Sequence, residues 1–332
     1  LKQESRTLLE LFKKNAFFSI MMLIPYTLIL HVSSWFTSFP DPVTTHCWIY
    51  QQLIVQWNLS NNFEIFLSTF LILMHAVLLA HISSKYKLNN EGQLYASLFF
   101  ILFCGFHHST QSLNPSLIAN LFLTFGVSEL FGVYLKKNAS IQLFNFGFLT
   151  GLASIFYPPY YVFILLGFIG IIILRGSRTR EFLQLIGGFI NVYLLAYAVL
   201  FIFNSEQSFW SQQVGGFFSP FIFSMQFSKY GWVTFGLLFM LVVINLMHYQ
   251  YFKSKRSIVI QKQYDLIFWA LFVSLFSTFF VRIDQIPHLM VLFTPLALLT
   301  GMLLNRIKNP LLKETLHLFI VITSLFLQFQ NW

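Results

Sequence analysis

Charge is what this chain has least of. Only 9% of its 332 residues are Asp, Glu, Lys or Arg, against about 25% in a soluble domain. So few charges cannot dress a water-facing surface, while 57% of the residues are hydrophobic and 43 are Phe. A globular core cannot hide that much apolar surface, so the lipid bilayer must act as solvent. Cysteine is nearly absent too. Cys47 and Cys104 allow one disulfide at most, which excludes a disulfide framework, and their spacing offers no metal site. They read as two separate small apolar residues, and nothing in the sequence decides whether they pair. Acids are outnumbered by bases, 11 to 20, leaving a net charge of +9. The bases sit in short clusters between apolar runs instead of in a folded basic module, which argues against nucleic acid as a partner. No linker, low-complexity segment or repeat divides the chain. A single integral membrane domain over 1–332 is expected, surrounded by membrane lipids, with no cofactor and no metal.

Apolar runs are what fill the chain. A helix needs about 20 residues to cross the hydrocarbon layer, somewhat fewer if its ends are buried. Runs of this kind fall near 16–36, 63–84, 93–109, 117–135, 140–156 and 162–174, then near 182–203, 232–250, 266–281, 288–304 and 314–331. The expected fold class is therefore all-α, a polytopic transmembrane bundle of about eleven helices. Pro158 and Pro159 make the junction of the fifth and sixth runs a broken or tightly turned pair. The basic start of the first run resembles a signal peptide, but no small-residue cleavage site follows it, so a retained first helix is expected.

The bases set the orientation. Loops assigned to the cytoplasm hold Lys2, Arg6, Lys13 and Lys14; Lys85 and Lys87; Lys136 and Lys137; Arg175, Arg178 and Arg180. The later ones hold Lys253, Lys255, Arg256 and Lys262, then Arg306, Lys308 and Lys313, so that 18 of the 20 Lys and Arg fall on one side. Only Lys229 and Arg282 fall on the other. Lys and Arg accumulate in cytoplasmic loops, so the N-terminus is expected in the cytoplasm and the C-terminus outside. An error in the helix count would scramble this alternation from that point onward.

The outer side is organised differently. Its two long segments, 37–62 and 204–231, contain WIYQQLIVQW (48–57) and FWSQQVGGFFSPFIF (209–223). Aromatic faces broken by Gln suit helices that lie in the interface or re-enter it, roofing an outer vestibule. Trp35, Trp48, Trp57, Trp210, Trp232 and Trp332 all fall near this interface, the depth at which an apolar ring with one N–H is best placed.

With so few charges outside, each one is a candidate for chemistry. Asp41 stands between two prolines in SFPDPVTTHCW, either a solvated turn residue or a general base held near the membrane by rigid flanks. His107 and His108 open HHSTQSLNP and either cap a helix end or contact a lipid phosphate or a sugar. Adjacent helical histidines point about 100° apart, so a shared zinc ion is not expected. In RIDQIPHLMVLFTPLALLTG (282–301), Arg282 and Asp284 lie at the outer mouth with His288 close by. They form either a local ion contact or a site in which the Arg binds the phosphate of a lipid carrier. Lys229 is the other outer cation. Glu129, inside the fourth run, is the carboxylate a proton-coupled transporter would use.

Two stretches, FNFGFLTGLASIFYPPYYVFILLGFIGIIILRGSRTREFLQLIGGF (144–189) and RIDQIPHLMVLFTPLALLTG (282–301), resemble an uncharacterised family of Bacteroidetes inner-membrane proteins, as does LFKKN (11–15). That resemblance implies a bacterial inner membrane and no particular activity. More loosely, the layout resembles the C-type glycosyltransferase superfold, polytopic enzymes that take a sugar from a polyprenyl-phosphate carrier and keep an acidic base in the first outer loop. This second resemblance implies that Asp41 is the catalytic base and that Arg282, helped by Lys229 or His288, holds the carrier phosphate. His107, His108 and Asp284 would complete the substrate contacts. The chain departs from the superfold in having no Asp-x-Asp or Glu-x-Asp pair, no large soluble C-terminal domain and few outer charges. Two other readings stand beside it: a non-catalytic subunit of a cell-envelope assembly with protein partners, and a small-solute or proton transporter.

Overall fold

Small and polar residues decide where the helices of this chain meet. Lipid tails are as apolar as leucine, so helices in a bilayer associate through close backbone packing and interhelical hydrogen bonds. The computed structural model describes residues 8–12, 17–36, 47–57, 59–88, 94–176, 178–214, 228–254, 256–280 and 286–330, and the regular structure among them is wholly helical. In chain order the α-helices are α1 (Phe17–Met21), α2 (Leu23–Leu30), α3 (Trp48–Leu53), α4 (Asn61–Lys85), α5 (Tyr95–Cys104) and α6 (His108–Gln111). Next come α7 (Pro115–Phe131), α8 (Ser140–Phe156), α9 (Ile164–Arg175), α10 (Thr179–Ile202) and α11 (Glu206–Phe209). The last five are α12 (Lys229–Met247), α13 (Tyr249–Lys253), α14 (Ile258–Ser277), α15 (Phe293–Arg306) and α16 (Pro310–Gln330).

Among the described residues, 7 helical stretches are long and apolar enough to cross a membrane: Asn61–Lys85, Pro158–Arg175, Thr179–Ile202, Lys229–Met247, Ile258–Ser277, Ile286–Arg306 and Pro310–Gln328. Shorter apolar helices cover Phe17–Leu30, Tyr95–Cys104, Pro115–Phe131 and Ser140–Phe156. The chain is therefore a membrane protein, and each apolar run of the sequence carries one of these helices. The boundaries differ where polar residues join a helix. α14 begins at Ile258 and so contains Lys262 and Asp265, because Lys262 lays its head on the Tyr134 ring and Asp265 is neutralised by Lys253. The prolines at 158 and 159 open a 3-10 turn that leads straight into α9. α5 is short, but all of its residues are buried inside the bundle, so lipid does not set its length.

Packing follows the small residues. A Cβ on Gly147 would collide with the Leu185 carbonyl and one on Gly188 with the Phe144 carbonyl, so α8 and α10 cross in backbone contact. Gly301 of α15 lies against Ala96 of α5 in the same way, 2.7 Å from a built Cβ to the Ala96 nitrogen. The Ile286–Arg306 stretch is central, 89% of its apolar window being buried, whereas Pro310–Gln328 has only 17%. The outlying α16 docks through a polar stripe. Glu314 accepts from the Leu9 N–H, His317 pairs with the Tyr26 hydroxyl at 2.9 Å, and Gln328 accepts from Ser33. The rest of its apolar surface faces outward: Leu311, Phe319, Ile322 and Phe326 are all exposed.

Contacts sort the connections into two ends. At one end Leu94 N–H donates to the Phe12 carbonyl, Tyr264 donates to Leu88, Lys262 covers Tyr134, Arg175 reaches Val133, Arg306 reaches Phe252, and Lys313 covers Tyr95. At the other, Ser33 meets Gln111 and Gln328, Tyr50 meets Leu113, Trp48 meets Gln213, and Tyr157 meets His288. The first, basic end holds the described Lys and Arg apart from Lys229. The second is poor in charge, with Lys229, Glu64 and Glu206 among its described residues, and its buried polar groups are uncharged; it is termed the neutral end.

Candidate functional site

At the neutral end, four separate stretches of chain hold or flank the sequence candidates. The first is Cys47–Trp57. Its short helix α3 buries Trp48 against Phe209, with ring centroids 5.8 Å apart, and Leu200 completes this small apolar cluster. Gln213, fully buried in the π-turn Trp210–Val214, ties the pieces together. Its Oε1 accepts from the Trp48 N–H at 3.0 Å, and its Nε2 donates to the carbonyls of Ser154 and Ile155 at the end of α8. Trp48 and Gln213 thus hold residues 48–57 and 209–214 to each other and to the bundle as short helical pieces, while 215–223 of the second aromatic segment lie outside the described residues. Cys47 and Cys104 are both buried thiols and form no disulfide.

The second stretch is the α5–α7 connection. α5 ends at Cys104, and Gly105 follows because Ser324 and Gln328 of α16 occupy the space a side chain would need there. His107 then caps α6, its Nδ1 accepting from the Ser109 N–H at 3.2 Å. Asn114 caps α7 by accepting from the Leu117 N–H at 2.9 Å, with Pro115 at the first helical position where its missing N–H costs nothing. Tyr50 donates to the Leu113 carbonyl at 2.8 Å, joining this connection to the first stretch. Burial lowers the pKa of His107 to about 3, with repulsion from His108 adding to it, and burial lowers that of His108 as well. Both imidazoles are therefore neutral near pH 7 and present hydrogen-bonding groups, not positive charge.

The third stretch is Ile286–Leu292. Its Met290 carbonyl accepts from Asn120 Nδ2 at 2.9 Å, and Met290 Sδ lies 3.5 Å from Asn114 Nδ2. His288 is buried, and its Nδ1 meets the Tyr157 hydroxyl at 2.8 Å. Beneath it lies a polar knot between α4, α7 and α15. His75 Nε2 is 2.8 Å from Thr124 Oγ1 and 3.0 Å from Thr294 Oγ1, and Thr294 lies 3.2 Å from Asn120 Oδ1. Phe100 stacks on the His75 ring at 4.0 Å. Thr294 also lines a small apolar pocket with Leu123, Phe163, Ile267 and Pro295. The fourth stretch is the start of α12, where Ser228 caps the helix, Lys229 is exposed, and Thr234 reaches the Phe106 carbonyl at 3.5 Å.

Asp41, Arg282 and Asp284 lie outside the described residues. The nearest described residues on either side of them, Phe36 and Cys47, Phe280 and Ile286, belong to the stretches above or adjoin them. Of the remaining sequence candidates, Lys229, His107, His108 and His288 share the neutral end. Lys229 reaches solvent, while His288 is buried with its Nδ1 on the Tyr157 hydroxyl. Sequence reading passed over His31, His75, Tyr157 and Gln213. A lone His or Gln inside a run whose other face is Phe and Met, as in FLILMHAVLLA, marks an inward polar contact, and that signal was legible. Among the described residues no three His, Cys, Asp or Glu gather as a metal site.

The profile of a family of unknown function (DUF6427) matches residues 29–331, and the chain belongs to that family. No curated protein and no solved structure matches it.

Proposed function

We propose that this family member is a C-type glycosyltransferase-like enzyme of the bacterial inner membrane, using a polyprenyl-phosphate-linked sugar at its neutral, outward-facing end. On this reading one membrane domain crosses the bilayer eleven times, roughly the helix count its length allows, with the basic end in the cytoplasm. One observation carries the proposal. The segments flanking Asp41 and those flanking Arg282, far apart in sequence, are drawn to the same end through Tyr50, Leu113, Asn114 and Met290. Asp41 takes the proton of an acceptor hydroxyl, whose oxygen attacks the anomeric carbon. The bond from that carbon to the carrier phosphate breaks, and the phosphate leaves with the electron pair, stabilised by Arg282 and Lys229. Fixed cations at a developing phosphate charge are an effective form of transition-state stabilisation. His107, His108 and Asp284 are assigned to hydrogen bonds with the sugar, which suits the neutral state of the two imidazoles. His288 positions Tyr157 beneath them.

The test is sugar transfer in nanodiscs, with the purified chain supplied with a polyprenyl-phosphate-linked hexose and the lipid extract of its own membranes. Release of polyprenyl phosphate should fall about a hundredfold or more in Asp41→Asn, the range expected for loss of a general base, with an unchanged melting temperature. Arg282→Gln should raise KM for the carrier, and Arg282→Lys should recover part of it as a point charge. Equal release by wild type and Asp41→Asn overturns the proposal. So does an inactive wild type that co-purifies in fixed ratio with another envelope protein, which would make the chain a non-catalytic subunit.

A further inference from the structure

The half-buried cations of the basic end divide by what neutralises them. Arg175 stands 2.7 Å from Glu181 and also donates to the carbonyls of Val133, Lys136 and Lys137. Lys253 stands 2.9 Å from Asp265 and 3.2 Å from the Tyr249 hydroxyl. A cation drawn out of water needs such a carboxylate, because desolvation costs several kcal/mol for a lone ion, by the usual order of magnitude. Arg306 has none. Its guanidinium lies 5.0 Å from the centroid of the Tyr251 ring and donates to the Phe252 carbonyl at 3.3 Å, and no carboxylate among the described residues pairs with it. The carbonyls ending α15 offset part of its charge, but Arg175 has helix-end carbonyls as well and still has its Glu.

The surroundings of Arg306 indicate what completes it. Arg256 belongs to the same turn: its N–H donates to the Lys253 carbonyl at 3.4 Å, one residue on from the Phe252 carbonyl that accepts from Arg306. The backbone of Arg256 and the guanidinium of Arg306 are thus both placed at the turn between α13 and α14. Two apolar side chains flanking this polar turn are uncovered: Met247 is 79% exposed and Ile258 65%. With its face on Tyr251 and N–H groups on the Phe252 carbonyl and towards the Tyr264 hydroxyl, the five-donor Arg306 fork keeps further N–H groups for a planar or tetrahedral anion. We propose that Arg306, with Arg256 beside it, binds the phosphate of an anionic phospholipid whose acyl chains lie along Met247 and Ile258. A free phosphate would leave those two side chains in water. A zwitterionic headgroup would bring its own cation against Arg256 and Lys253. This site is independent of the reaction proposed for the other end.

The test uses the whole chain, stripped of lipid in detergent and titrated with phosphatidylglycerol or phosphatidylcholine, with bound lipid counted by native mass spectrometry. Wild type should retain several-fold more phosphatidylglycerol than phosphatidylcholine, and Arg306→Gln should lower that retention about fivefold, the usual weight of one basic residue. Arg306→Lys should fall between them and shows whether loss of binding is loss of folding. The paired change Arg178→Gln and Arg180→Gln, at exposed tips of the same end, should leave retention unchanged. Equal retention of the two lipids by wild type, or unchanged retention in Arg306→Gln, overturns the proposal. Displacement of the lipid by millimolar inorganic phosphate overturns the lipid and assigns the site to the free anion.

Discussion

At the basic end, Lys85 on Tyr86, Lys253 on Tyr249, Lys262 on Tyr134, Arg306 on Tyr251 and Lys313 on Tyr95 each keep a charged head beside a tyrosine ring. At the neutral end the buried polar groups are His31, Gln111, Gln213, His288 and Gln328, none of them a permanent charge. The same need, polarity close to lipid, is met in two ways because the two kinds of group have different costs. An amide or imidazole goes fully inside once its hydrogen bonds are made, whereas an ion must stay at the water's edge or be paired. The basic end can therefore fix the chain's orientation but cannot form a deep polar interior. The neutral end can, and its interior continues through Asn120, Thr294 and Thr124 to His75 in the middle of the bundle.

The comparison breaks most completely if the two ends do not face opposite sides of the membrane. Lys136→Cys should react with an impermeant maleimide only after the membrane is opened, and Ser208→Cys should react in intact spheroplasts. Reversed labelling would exchange the two sides, and equal labelling in intact cells would dissolve the distinction. The next effect in size tests the difference in cost. Arg175 and Glu181 have side chains only 9% exposed. Arg175→Leu or Glu181→Leu leaves the other charge buried alone, a loss of about 3–5 kcal/mol in comparable pairs. The double variant should melt much closer to wild type than either single one, as read by thermal unfolding in detergent. Single variants that melt like wild type would show that water already solvates the pair.

Most of the helical layout was legible because hydropathy and charge clustering report a helix and its ends directly. What hydropathy does not report is which face of a helix meets protein. Ile286–Arg306 and Pro310–Gln328 both read as apolar spans, yet one is central and the other outlying. The distinguishing residues are few: Gly301 against Ala96 in the first, and Glu314, His317 and Gln328 along one stripe of the second. Candidate residues could be picked by type in the sequence, but not by burial. His288 carries the same letter as an exposed ligand would, and only the fold shows that it is buried against Tyr157. Gln213 looked like one more interfacial Gln, because its partners Trp48, Ser154 and Ile155 are remote in sequence.

Gln213 offers the smallest and sharpest test, because Cys47 reports on it without any added probe. Gln213→Leu keeps the bulk but removes the acceptor of the Trp48 N–H and the donor to two carbonyls of α8. Each buried group left unsatisfied costs about 1–3 kcal/mol, so the Trp48 segment should loosen while the helices stay folded. Burial pushes the Cys47 thiol from 9.0 up to about 12. In wild type its maleimide reaction should therefore be slow at pH 8 and keep rising with pH well beyond 9, instead of levelling there. The folded value lies above the unfolded one, so the buried thiol's contribution to stability is complete below about pH 9 and is lost as pH climbs towards 12. In Gln213→Leu the reaction at pH 8 should speed up by an order of magnitude or more, as thiolate becomes available at an exposed site. Cys104, buried inside the bundle at the end of α5, should stay unreactive in both proteins and serves as the internal control. Unchanged Cys47 labelling in Gln213→Leu would mean that Trp48 and Phe209 alone hold the neutral end closed.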